Sequence, residues 1–282
     1  MGENIFRMKY DVELIVDLGA ELLEGPVFDK VAHLLYFVSI LNYRVYRFNP
    51  LTREMLYIQL ASPTSCVFLS SECRIVAAST QGFYSLDFES LTAEKIFEIP
   101  IPSNMRFNDG TLDAKGRFLI GTMGYPEIVD SIGSVLSYSN GEVKVLIRNT
   151  TISNGIVFTK DSKNMFFIDT PARTIAKYKY HLESGSCEYM NDLVNFHGAG
   201  IPDGMDMDED GNLWVAEWGG YCVSIWNSFT GENMGKVEIP LQNVTSVCFD
   251  DLNNLYVTTA RSNAQGEEKG GALFYVKIRK DA

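Results

Sequence analysis

The stretch NDGTLD, Asn108–Asp113, is followed across the turn DAKG by GRFLIGTM, Gly116–Met123, and this pair of segments recurs in outline along the whole chain. Upstream stand EGPVFD from Glu24 with HLLYFVSI from His33, and TSCVFL from Thr64 with CRIVAAST from Cys73. Downstream stand NGIVFT from Asn154 with NMFFIDT from Asn164, DGMDMD from Asp203 with NLWVAEW from Asn212, and TSVCFD from Thr245 with NLYVTTA from Asn254. Successive openers lie 40 to 49 residues apart. The second segments are rich in Val, Ile, Tyr, Phe and Thr, which suit a pleated sheet. Between the paired segments lie DAKG, KDSKN, DEDGN and DDLNN, which are turn compositions. Third strands follow in YRVYRFNP, GFYSLDFES, SVLSYSNG, TIAKYKYH and CVSIWNS, and fourth strands fit REMLYIQL, EKIFEI and VKVLI. No long segment carries a 3.6-residue apolar period, which argues against a parallel α/β sheet.

A repeat of this length built from four strands is the signature of a β-propeller. Six openers predict an all-β, six-bladed propeller with four-stranded blades around a central channel, forming one domain over residues 1–282. Closure requires the N-terminal strand around Asp11–Val16 to lie beside Ala272–Ile278, which removes exposed sheet edges. Two stacked β-sandwiches are the rival, and they leave six matched openers unexplained.

Composition narrows the function. The 282 residues are 46% hydrophobic and 21% charged, and 24 basic against 36 acidic residues leave a formal charge of −12. That excess argues against a duplex nucleic-acid partner, which needs a basic stripe, and against an anionic membrane surface. No apolar run approaches the roughly 20 residues of a membrane span, and Met1–Tyr10 lacks the pattern of a signal peptide. The expected location is cytoplasmic. Five scattered cysteines, Cys66, Cys73, Cys187, Cys222 and Cys248, without a C-x-x-C motif, read as free thiols in a reducing compartment.

In a propeller the first strand of each blade lines the channel, so equivalent positions of remote repeats become neighbours. The openers Glu24, Thr64, Asn108, Asn154, Asp203 and Thr245 are two carboxylates, two carboxamides and two hydroxyls. Such oxygen donors describe a hard-cation site, Ca²⁺ first. Zn²⁺, which favours His and Cys, comes second, and Mn²⁺ and Mg²⁺ are further candidates. The alternative is that these side chains only cap strands in a wet channel. Arg106 stands two residues before Asn108, so strand alternation aims both to one side, where a guanidinium fork can hold a ligand. Its alternative is an ion pair, for example with Asp109.

Two features invite other readings. Asp206, Asp208, Asp210, Gly211 and Glu217 match the EF-hand pattern D-x-D-x-D-G-x₅-E, but the segment runs through NLWVAEW, a strand by repeat alignment, where an EF-hand needs flanking helices. The histidines are His33, His181 and His197, and with no G-x-S-x-G they give little support to a Ser–His–Asp hydrolase.

The motifs Glu24-Gly25-Pro26, Arg106-Phe107-Asn108-Asp109-Gly110, Gly121-Thr122-Met123, Ser153-Asn154-Gly155 and Ile201-Pro202-Asp203-Gly204-Met205 occur in order. By them the chain resembles, over nearly its whole length, the regucalcin (senescence marker protein), gluconolactonase and luciferin-regenerating enzyme family. The resemblance implies a six-bladed propeller with one divalent cation held by Glu24, Asn154 and Asp203, and substrate contacts from Arg106 and Asn108. It also implies hydrolysis of small sugar lactones. Some relatives carry an acidic substrate contact shortly after Gly-Thr-Met; here Gly124-Tyr125-Pro126-Glu127 follows, and Glu127 is the candidate for that role. The expected activity is metal-assisted lactone hydrolysis, with the cation polarising the carbonyl and Asp203 as general base. The alternatives are an organophosphate or aryl-ester hydrolase using the same site, and a non-enzymatic calcium-binding propeller. The expected partner is a small-molecule lactone, with the chain a monomer or weak homo-oligomer.

Overall fold

The computed structural model describes residues 8–70, 74–262 and 270–280, so the thiol of Cys73 lies outside the described residues. Among the described residues the fold is all-β and propeller-like; the helical element is a single 3-10 turn, Thr170–Ala172. Four antiparallel four-stranded sheets follow one another along the chain. They are β2–β5 (Leu23–Asp29, Leu34–Ser39, Arg44–Phe48, Met55–Gln59), β6–β9 (Thr64–Leu69, Ile75–Ser79, Gly82–Asp87, Thr92–Phe97), β10–β13 (Met105–Leu112, Phe118–Gly124, Gly133–Ser139, Glu142–Thr150) and β14–β17 (Ser153–Phe158, Asn164–Asp169, Thr174–His181, Ser186–Asn195).

An eight-stranded sheet completes the molecule. One half holds β18–β21 (Ile201–Met207, Asn212–Trp218, Cys222–Asn227, Asn233–Glu238). The other holds β22 (Asn243–Phe249), β23 (Leu255–Ala260), β24 (Ala272–Lys280) and β1 (Met8–Asp17). The halves are joined by the one residue pair Trp218 and Asn243. Strand β1 runs antiparallel to β24, with Met8 opposite Lys280 and Asp17 opposite Ala272.

The first strands β2, β6, β10, β14, β18 and β22 touch in that order, and β22 returns to β2, so they enclose a common axis. Apolar clusters fill the wedges between neighbouring sheets. Tyr36, Val38 and Val45 meet Val67 and Ala77, for example, and Phe166 and Ile168 meet Leu213 and Val215. Strand alternation explains this packing. One face of each sheet points to the sheet before it and the other to the sheet after, so both faces are apolar.

The acidic turn of the EF-hand match is a hairpin. Strands β18 and β19 flank it, with Asp206 opposite Trp214. Asp208 ties the turn by accepting from the Asn212 backbone N–H (2.8 Å), the Asn212 amide (3.0 Å) and the buried Trp214 indole (2.9 Å). Asp113 and Asp250 do the same elsewhere, one oxygen taking turn N–H groups and the other a tyrosine hydroxyl, of Tyr180 and Tyr275 respectively. The acidic pattern therefore follows the blade repeat. Asp208→Ala is expected to destabilise the fold by about 3 kcal/mol, because it strands the Trp214 N–H in the core as well as losing the turn bonds. Urea unfolding measures this, and a loss below about 0.5 kcal/mol would show that the turn does not depend on the carboxylate.

Candidate functional site

The openers owe their placement to a recurrent irregularity. In every first strand the pairing with the second strand slips at or beside the opener: between Glu24 and Val27, Thr64 and Cys66, Phe107 and Gly110, Ser153 and Ile156, Pro202 and Met205, and Val244 and Ser246. Such bulges bend a strand and re-aim its side chains. Close approach of the first strands at the axis also demands glycine. A Cβ on Gly204 would collide with Ser246, and one on Gly155 with the Met205 side chain and the Asp203 carbonyl.

A cavity of about 280 Å³ opens at the opener end of the axis. Its polar wall is Glu24, Arg106, Asn108, Asn154, Thr170 and Asp203, from four different sheets. All six are buried. A hydrogen-bond chain sets their orientation. Arg106 Nη1 donates to Asn108 Oδ1 (2.6 Å), Asn108 Nδ2 to Asn154 Oδ1 (2.9 Å), Asn154 Nδ2 to Thr170 Oγ1 (2.7 Å), and Thr170 Oγ1 to the Pro202 carbonyl (2.9 Å). Thr170 thereby fixes which end of the Asn154 amide carries the oxygen. Glu24 Oε2 accepts from the Gly25 N–H at 3.0 Å.

Two atoms on this wall, Asp203 Oδ1 and Arg106 Nε, are buried without a hydrogen bond. Buried polar atoms are nearly always satisfied, so such orphans call for a ligand or a role. Burial, then the charge of nearby Asp109, pushes the Glu24 carboxyl up to about 8, with Arg106 opposing. Burial, then Glu24 and Asp109, holds Asp203 well above the usual carboxylate range. Burial draws the Arg106 guanidinium down to about 10 despite the attraction of Glu24. Two carboxylates thus crowd one small buried cavity with insufficient counter-charge.

Among the described residues no three His, Cys, Asp or Glu side chains cluster as a metal site. The donor set here is two carboxylates and carboxamide oxygens, which is hard-cation chemistry and not zinc-finger chemistry. The unpartnered Asp203 oxygen and the missing counter-charge both fit a divalent cation.

The model for the SMP-30/gluconolactonase/LRE-like region matches residues 22–261. The chain belongs to that family. It is 31% identical to the pentonolactonase XacC of Haloferax volcanii, over 95% of this chain and 94% of that one. It is also 31% identical to the regucalcin of Xenopus laevis, over 88% and 86%. A solved luciferin-regenerating enzyme superposes with a TM-score of 0.89 at 28% identity, covering 97% of this chain and 98% of that one.

Of the positions that family resemblance singles out, Glu24, Arg106, Asn108, Asn154 and Asp203 share the cavity, and Glu127 does not. Glu127 is exposed on the loop after β11, and Ile128 lines the cavity in its stead. The openers Thr64 and Thr245 are buried but spent internally, Thr64 Oγ1 on the Ser62 carbonyl and Thr245 Oγ1 on the Leu23 carbonyl. All three histidines lie outside the cavity: His33 pairs with Asp251 (2.8 Å), His181 with Glu188 (3.1 Å), and His197 is exposed. Trp218 borders the cavity, whereas Trp214 is core.

A larger cavity, about 410 Å³, occupies the other end of the axis. Its carboxylates already have backbone partners. Asp109 accepts from Gly110, and Asp206 from Met207 and Phe249. Cys66, Cys187, Cys222 and Cys248 are free thiols, and burial pushes each of them up. Among the described residues no helix is long and apolar enough to cross a membrane.

Proposed function

We propose that this chain is a divalent-cation-dependent hydrolase of small lactones. The supporting architecture is a single six-bladed propeller, each half of the eight-stranded sheet counting as one blade and β1 completing the last. The observation that carries the reading is the unpartnered, buried Asp203 oxygen beside Glu24, Asn154, Asn108 and Arg106 in one small cavity.

Glu24, Asn154 and Asp203 would hold the cation. When bound, a divalent cation supplies charge that polarises a lactone carbonyl and stabilises the developing oxyanion. Asp203 would accept a proton from the attacking water. The Arg106 guanidinium would donate to the substrate's oxygens, and Asn108, whose two amide hydrogens go to the Ser153 carbonyl and Asn154 Oδ1, would order it through their mutual hydrogen bond before substrate arrives. The name and cover of the Haloferax volcanii pentonolactonase support a lactone as substrate. Ca²⁺ is the first candidate, with Zn²⁺, Mn²⁺ and Mg²⁺ as alternatives.

Turnover of a lactone panel, measured on chelated protein and after separate re-supply of Ca²⁺, Zn²⁺, Mn²⁺ and Mg²⁺, tests this reading. Chelation is expected to abolish hydrolysis and at least one of the four ions to restore it. Full activity after chelation would refute the cation dependence. Cation binding without hydrolysis of any lactone, aryl ester or phosphotriester would favour a binding protein.

A further inference from the structure

The same cavity also has an apolar lining, its second wall. Besides the polar groups, Leu22, Met123, Ile128, Ile152, Ile201 and Trp218 line it. Apart from the Trp218 indole N–H, none of these side chains can donate or accept a conventional hydrogen bond. The loop after β11 extends this wall outward. Ile128 is 59% and Val129 42% exposed, an apolar lip facing solvent. The polar side chains of this loop do not line the cavity. The Tyr125 ring lies 5.9 Å from the Arg106 guanidinium and its hydroxyl engages Tyr43, while the Glu127 side chain is not part of the lining.

We propose that the lactonase site is built for lactones with an apolar flank, that is, γ- or δ-lactones carrying an alkyl substituent, and not for polyhydroxylated aldonolactones. This inference rests on the lactonase reading above. One polar wall suffices for the ester group itself: the carbonyl oxygen, the ring oxygen and the attacking water. An aldonolactone bears hydroxyls on its remaining ring carbons and its tail. Against this second wall those hydroxyls lose water and find no partner, at about tenfold or more in binding for each. An alkyl flank gains there, by about fourfold per buried methylene. The reaction is ordinary ester hydrolysis. Water oxygen bonds to the carbonyl carbon, the carbonyl carbon–ring oxygen bond breaks, and the ring oxygen takes up a proton, leaving a hydroxy acid.

The test measures kcat/KM of the cation-loaded protein on 5-alkyl δ-lactones with chains of one to five carbons. D-glucono-1,5-lactone and a pentono-1,4-lactone are run beside them, and the series is repeated with Ile128→Asn. Ile128 is exposed, so the variant is expected to fold. The expected result is a rise of about fourfold per carbon over the first few carbons, a preference over both aldonolactones, and a flattened series in Ile128→Asn. Aldonolactones cleaved equally well or faster would overturn the apolar assignment and leave the lactonase reading intact. A rising series unaffected by Ile128→Asn would overturn the assignment to this wall. Failure to cleave any lactone with any of the four cations would overturn both readings together.

Discussion

Asp203→Asn is expected to lower kcat for lactone hydrolysis by about 10²- to 10⁴-fold, the usual worth of a positioned general base. The carboxamide keeps an oxygen toward the cavity and nearly the same volume, so the bulge in β18 and its packing on Ser246 should survive. What disappears is the proton acceptor. Cation affinity should fall too, because Asp203 is one of the two carboxylate ligands, but the loss in kcat should persist at saturating cation. Steady-state kinetics at saturating cation, paired with calorimetric cation titration, separates the two effects. Turnover at the parent rate would remove Asp203 from the chemistry. Parallel losses in affinity and rate, with rate restored by excess cation, would reduce it to a ligand.

Glu24→Gln should show the converse pattern. Cation affinity is expected to fall by about two to three decades, the cost of deleting one partner of a buried charge pair. Turnover at saturating cation should largely recover. The cation-free protein should meanwhile become more stable, since a buried carboxyl repelled by Asp109 and Asp203 is replaced by a neutral amide. Melting curves with and without cation read both signs at once. The parent should gain strongly on cation addition, and the variant should start higher and gain little. A variant that binds cation as tightly as the parent would show that Glu24 is not a ligand.

Much of this arrangement was legible in the residues. Spacing of the openers located the first strands, because a blade is the smallest unit that can bury both faces of its sheet and so the unit must recur. Alternation put Arg106 with Asn108, and the structure has them hydrogen-bonded. The bulges were not legible. Pairing slips depend on how tightly neighbouring first strands crowd the axis, and a single strand's pattern carries no record of that. For the same reason Thr64 and Thr245 matched the repeat but do not reach the cavity. Thr170 closes the repeat segment NMFFIDT, but nothing in the pattern marks it as a cavity residue, since it enters through a short 3-10 turn. Glu127 and Ile128 adjoin in sequence, and only the loop's path decides which one faces inward.

Strand β1 has a consequence for how the protein is made. Its partner is β24, so every strand between the two must be synthesised before they can meet. Throughout synthesis β1 is a bare sticky margin able to recruit another nascent chain. Lys9, Asp11 and Glu13, on alternate exposed positions, place charge along that margin and disfavour stray pairing while it waits.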